Sequence, residues 1–87
     1  MSRAALQEAC ACRACGWALD GPGWLGDRPT HAICDCCGAE AGVDDTSVEA
    51  TRAYRRTWVE RGAEWFDPGC RPVRWSLYEH LCSIDAP

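Results

Sequence analysis

A small α+β fold in two parts, a cysteine-rich lobe of short strands followed by one long and one short helix, is predicted by three features of this 87-residue sequence. The unit Cys-x-x-Cys-Gly occurs twice, at Cys12–Gly16 and Cys34–Gly38, in a stretch too rich in glycine and proline for a long helix. A hydroxyl-led run from Thr46 to Glu60 ends just before Gly62, as an α-helix does. The chain is also too short to bury a large apolar core, so something besides hydrophobic packing must help to hold it. Residues 1–87 read as one domain, with a cysteine lobe at 10–43 and a helical extension at 44–87 packed on it.

Residues 1–9 read as a loose or short helical lead-in. Within the lobe, "DGPGWLGDRP" (Asp20 to Pro29) is punctuated as turns, and short strands are expected to flank it near Trp17–Leu19 and His31–Ile33. "TSVE" reads as a capping box, with the Thr46 hydroxyl accepting the Glu49 N–H, so the long helix starts there and runs to Val59 or Glu60. Gly62 suits the left-handed position beyond its end, and Arg55, Arg56 and Arg61 lie toward the negative end of its dipole. "EWFDPGCRPVRW" (Glu64 to Trp75) is a broken, aromatic loop, and Ser76 with Glu79 caps a short helix from Leu77 to about Cys82.

Projected at 100° per residue, Ala50, Ala53, Tyr54, Thr57 and Trp58 fall on one face of the long helix, which is the expected core face. Val48, Arg52, Arg55 and Val59 fall opposite. That stripe is either a solvated face or a partner-binding one, since arginine beside apolar residues is the composition of binding hot spots. Trp17, Trp58, Trp65 and Trp75 are expected to join the helical half to the lobe, while Trp24, in the Gly/Pro loop, is the tryptophan expected to be exposed and adhesive.

Eight cysteines can mean disulfides or metal. Gln7 and Glu8 interrupt the apolar run a signal peptide needs, and no stretch approaches the ~20 apolar residues of a membrane span, which points to the cytosol, where thiols stay reduced. In a metal knuckle two cysteines three positions apart share one tight turn, both sulfurs face one ion, and a following glycine relieves the turn. Eighteen residues separate Cys15 from Cys34, within the spacing of tetrahedral Cys₄ zinc sites. Cys12, Cys15, Cys34 and Cys37 are therefore the expected ligands of a structural zinc ion in a zinc-ribbon or rubredoxin-like lobe, and iron fits the same four sulfurs. Cys10 or Cys36 could replace a knuckle cysteine in a slipped register, against which the glycine placement argues, and His31 is an alternative ligand; Cys70, Cys82 and His80 could join Cys10 or Cys36 in a second site that no knuckle spacing supports, the alternative being plain buried residues.

Charge is divided unevenly. All nine basic residues are arginine, and residues 1–45 hold three of them against seven acids, whereas residues 46–87 hold six of each. Four thiolates around one divalent ion would add two more negative charges, bringing the first half to about −6. Such a lobe repels a phosphate backbone, so nucleic acid is an unfavoured partner.

The stretch "HAICDCCGAEAGVDDTSVEATRAYRRTWVERGAEWFDPGCRPVRWSLYEHL" resembles the small bacterial cysteine-rich proteins of the CPCC type, with their "ICPCCG" turn, acidic segment, "AYRxxWxxxGxxWF" helix and loop, and closing "PxxWxLxxQL". The likeness spans Cys12 to Leu81 and includes Tyr54, Arg55, Trp58, Gly62, Trp65, Phe66, Pro72, Trp75, Leu77 and Leu81. Asp35 departs from the family's proline, His80 from its glutamine and Ala41 from its aromatic residue. The resemblance implies a link to proteins encoded beside bacterial toxins, where a small acidic partner acts as an immunity protein.

Three functions follow as expectations. The first is a protein-binding module of immunity or antitoxin type, whose acidic surface meets a basic toxin. The others are a zinc-ribbon adaptor for nucleic acid or a transcription or translation complex, and a rubredoxin-like iron electron carrier. An enzyme is not expected: four cysteine ligands leave the metal no open position, and no third group orients a cysteine–histidine pair.

Overall fold

The structure, a computed structural model, describes residues 10–83. The expected N-terminal lead-in lies outside the described residues. Along the chain come β1 (Trp24–Leu25), β2 (Arg28–Pro29), α1 (Val48–Glu60), a 3-10 turn at Pro68–Cys70 and α2 (Leu77–Ser83). The fold is thus a small α+β one, with a two-stranded antiparallel sheet and two helices.

The cysteine lobe is built twice over. In the first knuckle Leu19 N donates to Cys10 O at 2.7 Å, Cys12 N to Trp17 O at 2.9 Å and Gly16 N to Cys12 O at 2.7 Å. In the second, Ala41 N donates to Ala32 O, Cys34 N to Ala39 O and Gly38 N to Cys34 O, each at 2.9 Å. The pattern repeats residue for residue. Gly16 and Gly38 take the left-handed conformation at φ 82° and 81°, which explains the glycine after each second cysteine.

The expected strands at Trp17–Leu19 and His31–Ile33 are single bridges instead, Ala11 with Ala18 and Ile33 with Glu40. Each knuckle turns back so soon that only one rung forms. The paired strands lie inside the segment expected to be turns, where Trp24 faces Pro29 and Leu25 faces Arg28 across Gly26-Asp27. Gly26 sits at φ 67°, as a two-residue hairpin loop requires. The Gly-Asp pair was the available signal for this hairpin.

Helix α1 begins one residue later than the capping box places it. Ser47 is the N-cap, its Oγ accepting Ala50 N–H at 3.0 Å, so the reciprocal Thr46–Glu49 pair is not used. Asp45, two residues before the cap, helps to set this register. Asp45 is buried, its carboxylate accepting from Gly42 N at 2.8 Å and from Trp24 Nε1 at 3.0 Å. At the other end Gly62 (φ 100°) donates to Val59 O and Ala63 N to Trp58 O, the paired bonds of a Schellman motif. Helix α2 starts behind Ser76, whose Oγ accepts Glu79 N–H at 3.4 Å.

The buried face of α1 is rolled by roughly 80° from the expected one. Tyr54, Arg55, Trp58 and Val59 turn inward, while Ala53 and Thr57 are exposed. Hydropathy alone counts arginine as outward, but the Arg55 stem packs and its guanidinium finds a carbonyl described below. Between α1 and the lobe the tryptophans assemble as expected. Trp17 and Trp65 meet edge to face with centroids 4.8 Å apart, Trp65 and Trp75 at 5.4 Å, and Trp58 lies 6.3 Å from Trp75.

Candidate metal centre

The two knuckle turns bring four cysteine sulfurs to one place. Cys12, Cys15, Cys34 and Cys37 are all buried, and their Sγ atoms lie within 4.8 Å of one another. Cys12 Sγ is 3.6 Å from Cys37 Sγ and Cys15 Sγ is 3.6 Å from Cys34 Sγ. A tetrahedron with metal–sulfur bonds of about 2.3 Å has edges of about 3.8 Å, so the four atoms already stand close to the corners an ion would impose. A disulfide needs about 2.05 Å, and no bridge joins any of the eight cysteines. The donor set fits a metal ion held by Cys12, Cys15, Cys34 and Cys37, with every corner filled and no position left for water.

Electrostatics calls for a cation. Hydrogen bonding with Cys12 pushes the Cys15 thiol up, but its contacts with Cys34, Cys36 and Cys37 outweigh this and bring it down to about 4. Cys12 and Cys34 are also lowered, chiefly by hydrogen bonds from Cys15 and Cys12 respectively. Cys37 moves the other way, raised because its proton bridges to Cys12, Cys15 and Cys34. Four sulfurs in mutual contact cannot all ionise unaided, so some become thiolates and the last keeps its proton. A divalent ion removes that conflict and takes all four as thiolates.

Acid should therefore release the ion. The folded Cys15 value lies below the ordinary thiol value of 9.0, so the stability contributed by its thiolate is full above that value and falls away as pH drops to about 4. A chromogenic metal indicator should register retention that weakens below neutrality and is lost as the pH falls through about 4. Retention well below that point would contradict the thiolate centre.

The helical half closes over this centre by capturing carbonyls. When knuckle N–H groups turn toward the sulfurs, the carbonyls of the turn face outward and need donors. Tyr54 Oη–H donates to Cys37 O at 2.8 Å and Arg55 Nη1 to Ala14 O at 3.0 Å. Phe66 N donates to Cys36 O at 3.0 Å and Asp67 N to Asp35 O at 2.9 Å. His80 completes the set from α2. Trp75 Nε1 donates to its Nδ1 at 3.2 Å, so the ring proton sits on Nε2 and is donated to Cys15 O at 2.8 Å. Burial and the nearby Cys37 push the Tyr54 hydroxyl up to about 12, so it remains a donor.

Other expected residues fall elsewhere. Trp24 is half-buried between the Arg13 guanidinium, 3.9 Å above its ring, and the Asp45 carboxylate, so it is packed in part and not, as expected, freely exposed. Of the expected stripe, Val48 and Arg52 are exposed, whereas Arg55 holds Ala14 O and Val59 packs against the core. His31 is exposed, with Nδ1 3.3 Å from Glu40 Oε2. Cys70 and Cys82 are exposed, and Cys70 sits beside Asp35 and Asp67, whose carboxylates raise its thiol. Cys36 is instead fully buried beside Cys15 and His80.

The chain matches no protein-family model, no curated protein and no solved structure.

Proposed function

We propose that this chain is a zinc-stabilised protein-binding module that neutralises a bacterial toxin by direct binding, in the manner of an immunity or antitoxin protein. The closed, buried set of four sulfurs supports a structural ion, because a catalytic one keeps a position for water or substrate. Zinc is the divalent ion best suited to four thiolates without redox chemistry. A lobe whose ion serves shape leaves function to its surface. The molecule's surface carries Leu25, Ile33 and Val43 on the lobe and Val48 at the start of α1, all well exposed, with Asp27, Glu40, Asp44 and Glu49 near them in the chain. Apolar residues set in acidic surroundings suit a basic protein partner, since opposite potentials speed encounter and the apolar residues supply contact. With Trp24, Arg55 and Val59 engaged inside the molecule, the partner face shifts to these residues, with Arg52 beside Val48.

Iron would occupy the same four sulfurs and make the protein a rubredoxin-like electron carrier, red where the zinc form is colourless. Native mass spectrometry of the protein drawn from its host should find one zinc and one protein companion at equal stoichiometry. A monomer that retains only RNA, or a red iron protein without a companion, overturns the proposal. Replacing Val43 by aspartate should weaken the companion's binding and leave zinc content unchanged.

A further inference from the structure

The four-sulfur centre does not use all the soft donors gathered around it. Cys36 lies between two ligand cysteines in sequence, is completely buried, and has its sulfur within 4.8 Å of Cys15 Sγ and of a His80 ring nitrogen. Its backbone carbonyl is already satisfied by Phe66 N, so the main chain is fixed and the thiol side chain remains to be explained. Alanine would pack in a dry interior without the cost of a buried polarisable thiol held beside charged sulfurs.

We propose that the lobe binds a second, soft monovalent ion, copper(I), between Cys15, Cys36 and His80, with the Cys15 thiolate shared between the two ions. This rests on the four-sulfur centre proposed above. The donor count selects the ion. Two sulfurs and one imidazole nitrogen make a three-coordinate site, which suits a soft d¹⁰ monovalent ion, whereas zinc at this position would lack the fourth ligand it takes in closed sites. Charge balance favours the same choice. Four thiolates around zinc leave two negative charges in a buried place, and one copper(I) entering with the Cys36 thiolate adds no net charge, the thiol proton leaving to solvent. Cys15 therefore keeps its bond to zinc and gains a second cation, with no change of oxidation state.

His80 is positioned for this and is restrained. Its two nitrogens hold Cys15 O and Trp75 Nε1, and its ring lies 6.1 Å from Trp17 and 5.7 Å from Trp75 by centroids. Ligation through Nδ1, the nitrogen that carries the free lone pair, replaces the Trp75 Nε1 hydrogen bond and leaves Nε2–H on Cys15 O, so copper entry alters the environment of the tryptophans stacked around the ring.

The zinc-loaded protein should be titrated with copper(I) buffered by bicinchoninate under anaerobic conditions and followed by native mass spectrometry and tryptophan fluorescence. The expected result is a species with one zinc and one copper, with fluorescence changing up to one equivalent. Cys36→Ala should keep its zinc and lose copper affinity by about a hundredfold or more, and His80→Gln should weaken copper about 10–100-fold with zinc retained. Copper that expels zinc without a mixed species, or that binds Cys36→Ala as it binds the parent, overturns the second site alone. Should Cys36→Ala fail to fold, the His80→Gln titration decides, and unchanged copper affinity there overturns the site. Protein that never holds zinc overturns both this site and the metal centre beneath it.

Discussion

Replacing Cys34 by serine, or stripping the ion with a strong chelator, is expected to unfold the helical half together with the cysteine lobe. Binding of structural zinc to a cysteine lobe is worth roughly 10–16 kcal/mol at neutral pH, as large as the whole stability of an ordinary small domain, about 5–15 kcal/mol. Few other terms compete in a chain of 87 residues. The loss should not stop at the lobe. Tyr54, Arg55, Phe66, Asp67 and His80 all donate to carbonyls of residues 14–15 and 35–37, and those acceptors exist in place only while the knuckles hold their shape. Circular dichroism should show helical signal and tryptophan fluorescence lost in one transition on adding chelator. Survival of the helical signal without the ion would separate the two halves and sink the cooperative picture.

Trp65→Ala should cost about 3–5 kcal/mol, the usual penalty for emptying a large buried aromatic site. Trp65 is buried, meets Trp17 and Trp75 edge to face, and belongs to the same cluster as the cysteines. Trp65→Phe should behave differently. The indole Nε1 is buried without a hydrogen-bond partner among the described residues. A buried donor left unpaired forgoes roughly 1–3 kcal/mol, so phenylalanine removes that penalty while sacrificing part of the ring. Urea melts should place the phenylalanine variant well above the alanine one and near the parent. Equal losses in both would mean that the indole nitrogen is satisfied in solution.

These expectations draw on features of very different visibility. The paired knuckles were legible because a metal site dictates local covalent spacing: Cys12 and Cys15, or Cys34 and Cys37, must share one turn whatever the rest of the chain does. The end of α1 at Gly62 and the start of α2 behind Ser76 were legible for the same reason, since caps are local. The roll of α1 was not, because it depends on which carbonyl Arg55 can reach 41 residues away at Ala14. The burial of Trp24 and Asp45 was hidden likewise, as each is the other's partner across 21 residues. Cys36 was visible in "CDCC" as an alternative knuckle ligand and as a candidate for a second site that no spacing supported; its proximity to His80 arises from the docking of α2.

The closure of the centre by α2 also orders events in time. All four sulfur donors precede the helical half in the chain, while His80 of α2 is bonded across 65 positions to Cys15. The cup of four sulfurs is thus made before its stopper. An ion held there would leave only as fast as α2 lifts away.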